Sequence, residues 1–531
     1  MKKISVIITM VLMLMPIVNS TALLSKEDNS SFPTNILDDL DPLVDLSVTV
    51  EIKQIRTLEK TDLGIKPIDK IDLFSDPDFY VKVFINDEEF ISQTWYDTKY
   101  VYTPWSATAD VPDDIEWVNI TIELWDADPS GDTLCDLSGF TEEDDDSQKE
   151  TQLIDNRYVS LQYNLKSGHW TGDDHLELNT NWGMSDTSGY GRLNGCDDGS
   201  IYQNDRDCEL WFDIHQNDYD GDGIPYWTEV NAFSTDPSVD NTGENVDNDG
   251  VPIEWEWKWG YYTRREYHST NVSHAWIYHP LISEDHLSLD DDEDGLDNVE
   301  EYLTSQWDSD PYRKDLFVEL DQMAAGPNGE EASILSVGSK ELLRTAYNKH
   351  NIVYHLDDGS WENSGSDMIP FDNLTTMAWG NQFSELYQIY NAYFLHDDIT
   401  NWRQGVFHYG AFVYQCSAAN GNAFGGNRYQ ISSNGLKEKA KSLPWLDEDI
   451  VLASAYMHEC GHTLNLENPG VDDQMSKFPW QVNWWKWRPY KSVMNYGYMF
   501  TMVDYSDGSR GKNDFNDWQN MDLTAFQQNW W

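Results

Sequence analysis

Over residues 46–215, apolar and polar positions alternate in short runs at 46–55, 79–85, 117–125, 159–163 and 208–214. A period of two turns one face of each run toward a core and the other toward solvent. Acidic turns separate the runs, so the pattern predicts an all-β sandwich over residues 46–215. No long amphipathic helix is expected before Val230. From Arg313 the rhythm changes. Residues 316–320, 352–356 and 406–414 read as strands, whereas 333–348 and 383–394 place apolar side chains at helical spacing. Strands alternating with helices predict an α/β (α+β) layer over residues 313–531, with helices behind a twisted sheet. A last helix follows the third strand: the apolar, Ala-rich run 449–457 leads into His458-Glu459-Cys460-Gly461-His462.

The chain is thus read as multidomain, and its two ends add to that picture. Lys2 and Lys3, an apolar run at 4–18 and the small residues Ser20-Thr21-Ala22 form the pattern of a secretory signal peptide over residues 1–22. That run is too short and wrongly flanked for a stable membrane span, and no other stretch approaches ~18 apolar residues. Residues 23–45 are polar and rich in Asp and Ser, as in a linker. The expectation is an exported protein, secreted, extracellular or associated with the cell surface.

Charge changes the picture more. The chain carries 94 acidic against 34 basic residues, a formal charge of −60. Such a surface repels nucleic acid and anionic membranes unless cations bridge them. The 24 Trp supply core mass and argue against a disordered acidic tail. Between the two halves, over residues 216–312, the acids recur in one spacing. Asp218, Asp220, Asp222, Gly223 and Glu229 are followed by Asn245, Asp247, Asp249, Gly250 and Glu256, and then by Asp290, Asp292, Asp294, Gly295 and Glu301. Oxygen ligands at positions 1, 3 and 5, Gly at 6 and Glu at 12 wrap a cage around Ca2+, so several structural calcium ions are expected. These loops resemble thrombospondin type 3 repeats, down to the step Thr235-Asp236-Pro237, and read as a metal-stiffened spacer. In the sandwich, Asp76 and the pair Asp126 and Asp128 lie on loops that could share another Ca2+. The turn Ser75-Asp76-Pro77-Asp78 before a strand, with the later Asp126-Ala127-Asp128, resembles a C2 domain. Calcium-bridged binding to a surface is then possible.

Five cysteines occur. Cys196 and Cys208 flank a polar loop and suit a disulfide; a bridge between Cys416 and Cys460 would tie the last helix to the sheet, leaving Cys135 free. His355 and His408 read as packed polar residues on strands, and His274, His279 and His286 as surface of the spacer.

The chemistry converges on His458, Glu459 and His462. Histidines at i and i+4 share a helix face and can reach one metal, here one catalytic Zn2+, with the intervening Glu placed to act on a water. Downstream stands Ser492-Val493-Met494-Asn495-Tyr496. Together with 313–321, 407–409 and 488–491, these segments resemble the metzincin metallopeptidases, in the pappalysin-like neighbourhood, over residues 313–531. The resemblance implies an exported zinc endopeptidase acting on a protein or peptide substrate. His458 and His462 would be ligands, Glu459 the general base, Met494 the residue of the Met-turn beneath the metal, and Tyr496 a candidate for stabilising the oxyanion. The chain departs from the family in two places. Asn465 replaces the glycine of the long motif, where Asn is the next best residue for a left-handed turn. Asn468 replaces the third ligand. Asn468 itself, Asp472 or Asp473 could complete the shell, or the site could bind zinc poorly. The alternative expectation is a non-catalytic, calcium-dependent adhesion or binding protein with a degenerate peptidase domain.

Overall fold

The strand Phe79–Ile85 buries every second residue and no other, and Trp117–Asp126 follows the same rule. Such strands need a second layer to cover the apolar face. The computed structural model supplies it; it describes residues 39–58, 75–129, 131–137, 157–172, 175–176, 184–185, 191–195, 206–265, 272–442, 445–467 and 480–525. One sheet runs in the order Gly191–Asn194, Cys208–Gln216, Ser47–Thr57, Tyr100–Val101, with Trp105–Asp110 also paired to Ser47–Thr57. The other runs Glu88–Ile91, Phe79–Ile85, Trp117–Asp126, Val159–Asn164, His169–Gly172. Pairing within both is antiparallel. Val48, Val50 and Phe212 from the first sheet meet Val81, Ile122 and Leu161 from the second in one core. Each such side chain contributes about 1.5–3 kcal/mol through burial. The five alternating runs fall on observed strands, with ends differing by a few residues.

In the second half the sheet runs Val353–Asp357, Asp315–Met323, His408–Val413, Arg428–Ser432, Gly421–Gly425. The first four are mutually parallel, and Gly421–Gly425 is an antiparallel edge strand. Three of these were expected. The hairpin Gly421–Gly425 and Arg428–Ser432, and the helix Ser433–Ser442 after it, were not: Asn420-Gly421-Asn422-Ala423-Phe424-Gly425-Gly426 has Phe424 as its single β-former, and all of Arg428–Ser432 is buried, so it shows no alternation. The expected helix at 333–348 starts only at Val337, because Ser336 caps it by accepting from the Ser339 N–H and Ser333 bridges Met323. The helix expected at 383–394 is α-helical over Glu385–Ile389 and continues as a π-turn over Tyr390–Phe394.

The 216–312 segment does not hold the halves apart. Residues Leu40–Trp531 form one compact unit, and the sandwich meets the second half through a buried ion network. Arg56 donates to Glu209 (2.8 Å) in the sandwich and to Glu341 (3.0 Å) on the helix Val337–Asn348. Arg192 donates to Glu209 (2.5 Å) and to the Asn348 carbonyl (2.9 Å), and the Asn348 amide donates back to Glu209. Burial favours the neutral acids, yet the guanidinium groups hold both Glu209 and Glu341 below the ordinary carboxylate range. Among the described residues, no helix is long and apolar enough to cross a membrane.

Removing Arg56 leaves Glu209 with Arg192 and Glu341 with Arg344, so each buried acid loses one of two guanidinium partners. Arg56→Met is therefore expected to destabilise the full chain by about 1.5–3 kcal/mol, read as a lower urea midpoint; an unchanged midpoint would show that the network carries no stability.

Candidate metal centres

The helix Glu448–Thr463 starts on Asp447, whose side chain caps the Asp449 N–H. It is buried continuously from Ile450 to Gly461. One side lies on the strands Arg428–Ser432 and Gly421–Gly425, the other against Val337–Asn348 and the segment carrying Met494 and Tyr505. This double cover accounts for the largely apolar run from Ile450 to Met457 that precedes His458, Glu459 and His462.

His458, Glu459 and His462 place one ligand atom each within 4.8 Å of one another. His458 Nδ1 lies 2.9 Å from the Val493 carbonyl oxygen. A carbonyl only accepts, so Nδ1 carries the proton and Nε2 keeps its lone pair. The turn that provides this carbonyl is itself fixed. Val493 N–H donates to Asp504 O, and the Asn495 amide donates to the carbonyls of Trp487 and Tyr490. Met494 is fully buried beneath the helix; a Cβ on Gly461 would lie 2.7 Å from its sulfur and 2.9 Å from the Tyr505 hydroxyl. The ring of Tyr496 stacks on His458 at 5.4 Å, and His462 meets His458 edge-on at 4.8 Å. Burial lowers His458 to about 3, with His462 adding to the shift, and burial lowers His462 too. Two neutral imidazoles with a tethered tautomer are a donor set that suits Zn2+.

Glu459 points to the edge strand. Burial pushes its carboxyl up to about 8, against the opposing hydrogen bond from the Ala423 N–H. A Cβ at Gly421 would come within 2.4 Å of Glu459 Oε1, so the glycine makes room for the carboxylate. After the helix the chain reverses at Asn465, with φ +57°, and its amide donates to Asp522. The left-handed turn expected there is present. Asn468, Asp472 and Asp473 lie outside the described residues, as do Cys196 and residues 1–22.

The expected Cys416–Cys460 bridge is absent. Both thiols are free, and they occupy different hydrophobic clusters. Cys460 faces Tyr347, whose hydroxyl lies 3.8 Å from its sulfur, and burial pushes the thiol up to about 11. Cys135 is free and buried. His355 and His408 are packed polar residues: His355 contacts Asp315 at 2.6 Å, and His408 contacts Thr463 Oγ1 at 2.8 Å.

The acidic loops converge in part as the spacing predicts. Asp218, Asp220, Asp222 and Glu229 form one group of ligand atoms, and Asp290, Asp292 and Asp294 another. Glu301 and Asp294 form a third group with Asp315, the first residue of the central strand. Asp249 and Glu256 gather with Glu284 and His286. His286 is therefore not spacer surface but fully buried. Glu284, His286 and Asp315 fall outside the twelve-residue frame, so loop spacing alone had no means of finding them. Asn245 accepts from the Asn248 and Asp249 N–H groups, and both oxygens of Asp247 are buried without a hydrogen-bond partner. In the sandwich, Asp76, Asp126 and Asp128 are not gathered into such a group; Asp126 accepts from the Asp78 N–H, and Asp76 lies 3.6 Å from Lys99.

No protein-family profile matches the chain, and no curated protein matches it. Among solved structures, it is similar to a C2 domain at 11% identity, covering 32% of this chain and 97% of that one, with a TM-score of 0.17. It is similar to a C2 domain protein from Ramazzottius varieornatus at 13% identity, covering 32% and 87%, with a TM-score of 0.18. A C2 domain of plant Extended Synaptotagmin 1 matches at 11% identity, covering 32% and 92%, with a TM-score of 0.17. With scores this low, the sandwich assignment rests on its own strand order and core.

The loops generate a pH dependence. Burial first, then neighbouring acids, raise Asp222 to about 6, Glu229 to about 8 and Glu256 to about 7. Without cations, the folded chain keeps protons that the unfolded chain releases near pH 4, so stability falls as pH rises from about 4 toward 8. The chelated full chain is expected to melt at lower temperature at pH 8 than at pH 5.5, and Ca2+ should restore it at pH 8. A profile flat with pH, or indifferent to Ca2+, would contradict occupied loops.

Proposed function

We propose that the chain is a metzincin-like zinc endopeptidase that hydrolyses proteins or peptides outside the cell, with calcium ions stabilising its acidic loops. One observation carries this reading: His458, tethered through Nδ1 to Val493, shares a buried cluster with His462 and a carboxyl aimed at an edge strand. His458 and His462 would hold Zn2+, which supplies Lewis acidity for amide hydrolysis when bound. Glu459 accepts a proton from the attacking water and returns it to the leaving amine. Burial raises the proton affinity of this carboxyl, which suits a group that takes up a proton and hands it on. The substrate adds as a strand along Gly421–Gly425, which brings its scissile bond over Glu459. Tyr496, held against His458, is placed to donate to the developing oxyanion. The extracellular setting rests on the signal pattern of residues 1–22 and on the net charge of −60.

Glu459→Gln tests the assignment. Zinc content should stay at one equivalent at this site, while cleavage of a peptide library falls by roughly 10²-fold or more. Full cleavage by this variant would refute the mechanism. A wild-type chain that binds zinc yet cleaves nothing would favour the non-catalytic, calcium-dependent binding protein.

Gly421→Ala probes the same carboxylate from the strand side. Its methyl group displaces Glu459 without touching the imidazoles, so kcat should fall at unchanged zinc content and melting temperature. Wild-type turnover would remove the edge strand from the mechanism.

A further inference from the structure

The second acidic loop differs from the other two in one donor. Its group contains a nitrogen, His286, whereas the groups at Asp218–Glu229 and around Asp294 are all oxygen. His286 is 0% exposed, and its Nε2 lies 3.2 Å from Asp249, 3.9 Å from Glu256 and 3.9 Å from Glu284. Glu256 is also 0% exposed, and neither of its carboxylate oxygens has a hydrogen-bond partner. The ring is fixed from behind, edge-on to Trp255 at 5.9 Å and to Tyr278 at 5.2 Å. The Asn298 amide sits 2.9 Å from Nδ1. A half-turn of that amide places its oxygen, which otherwise has no partner, against Nδ1–H and leaves the Nε2 lone pair for a metal.

An imidazolium at this place would stand 3.2 Å from Asp249 but 3.9 Å from both Glu256 and Glu284, which leaves the Glu256 oxygens without a hydrogen-bond donor. A metal at the centre satisfies all four side chains. Donors bound at about 2.0–2.1 Å in a tetrahedron stand roughly 3.3 Å apart, between the distances seen here. Ca2+ takes six to eight oxygens, whereas imidazole with carboxylates suits Zn2+ or Mn2+. We propose that Asp249, Glu256, Glu284 and His286 form a site for a divalent transition-metal ion, separate from the HExxH helix and distinct in metal preference from the two all-oxygen loops.

The test uses the full chain carrying His458→Ala and His462→Ala, which removes the other nitrogen-donor site. After chelation, this protein is loaded with Mn2+ or Zn2+ in excess Ca2+, desalted, and its metals counted. One equivalent of transition metal should remain. His286→Gln should lower retention at least tenfold while calcium content at the other loops is unchanged. If His286→Gln fails to fold, pulsed electron paramagnetic resonance of the Mn2+-loaded parent reads the same contact without it, since nitrogen coupling reports an imidazole ligand. Calcium alone in the loop, no retained metal at all, or Mn2+ without nitrogen coupling would overturn the proposal.

Discussion

A carboxyl taken out of water must meet a positive partner or keep its proton, and this chain gathers three of them at one buried point. Asp294, Glu301 and Asp315 are buried together, and burial plus mutual repulsion hold Asp294 and Glu301 well above the ordinary carboxylate range. Asp315 is where the central strand begins. Its backbone N–H donates to Asp294, its side chain accepts from the Asp310 N–H and contacts His355 on the neighbouring strand, and Lys314 reaches the Glu293 carbonyl. A cation among these acids would fasten the third loop, the first turn of the sheet and the adjacent strand at one point. The helix bearing His458 lies on the same sheet, against Arg428–Ser432 and Gly421–Gly425.

The HExxH face depends in turn on rigidity supplied from a distant stretch of chain. The Val493 carbonyl selects the tautomer of His458, and Met494 and Tyr505 fill the space that only a glycine at 461 leaves. Tyr505 also donates to the Met457 carbonyl, which joins the turn to the helix by a second route. Side chains held this way would lose little freedom on binding a metal, which is how second contacts sharpen a site.

Much of this was legible in the residues. Alternation located the sandwich strands because one face of each is wet, and i, i+4 spacing located the helix histidines. Loop spacing found the frames at 218, 245 and 290. Where patterning was silent, the reason is physical. Arg428–Ser432 is buried on both faces and Gly421–Gly425 is a glycine-bounded edge whose single large apolar residue is Phe424, so neither carries a period. Glu284, His286 and Asp315 join their groups through tertiary folding, which local spacing does not encode. Cys416 and Cys460 looked pairable because one follows a strand and the other sits in the helix; the two separate hydrophobic clusters they occupy were not visible in the sequence.

Glu341 belongs to the α/β half, yet one of its counter-charges, Arg56, belongs to the sandwich, and Glu209 draws on Asn348 in return. Halves that neutralise each other's buried groups do not behave as interchangeable cassettes. A sandwich recruited from elsewhere would bring no guanidinium to position 56 and would leave Glu341 in a dry seam with Arg344 alone. Substitution at Arg56, Arg192, Glu209 or Glu341 therefore disturbs buried groups on both sides of the seam at once.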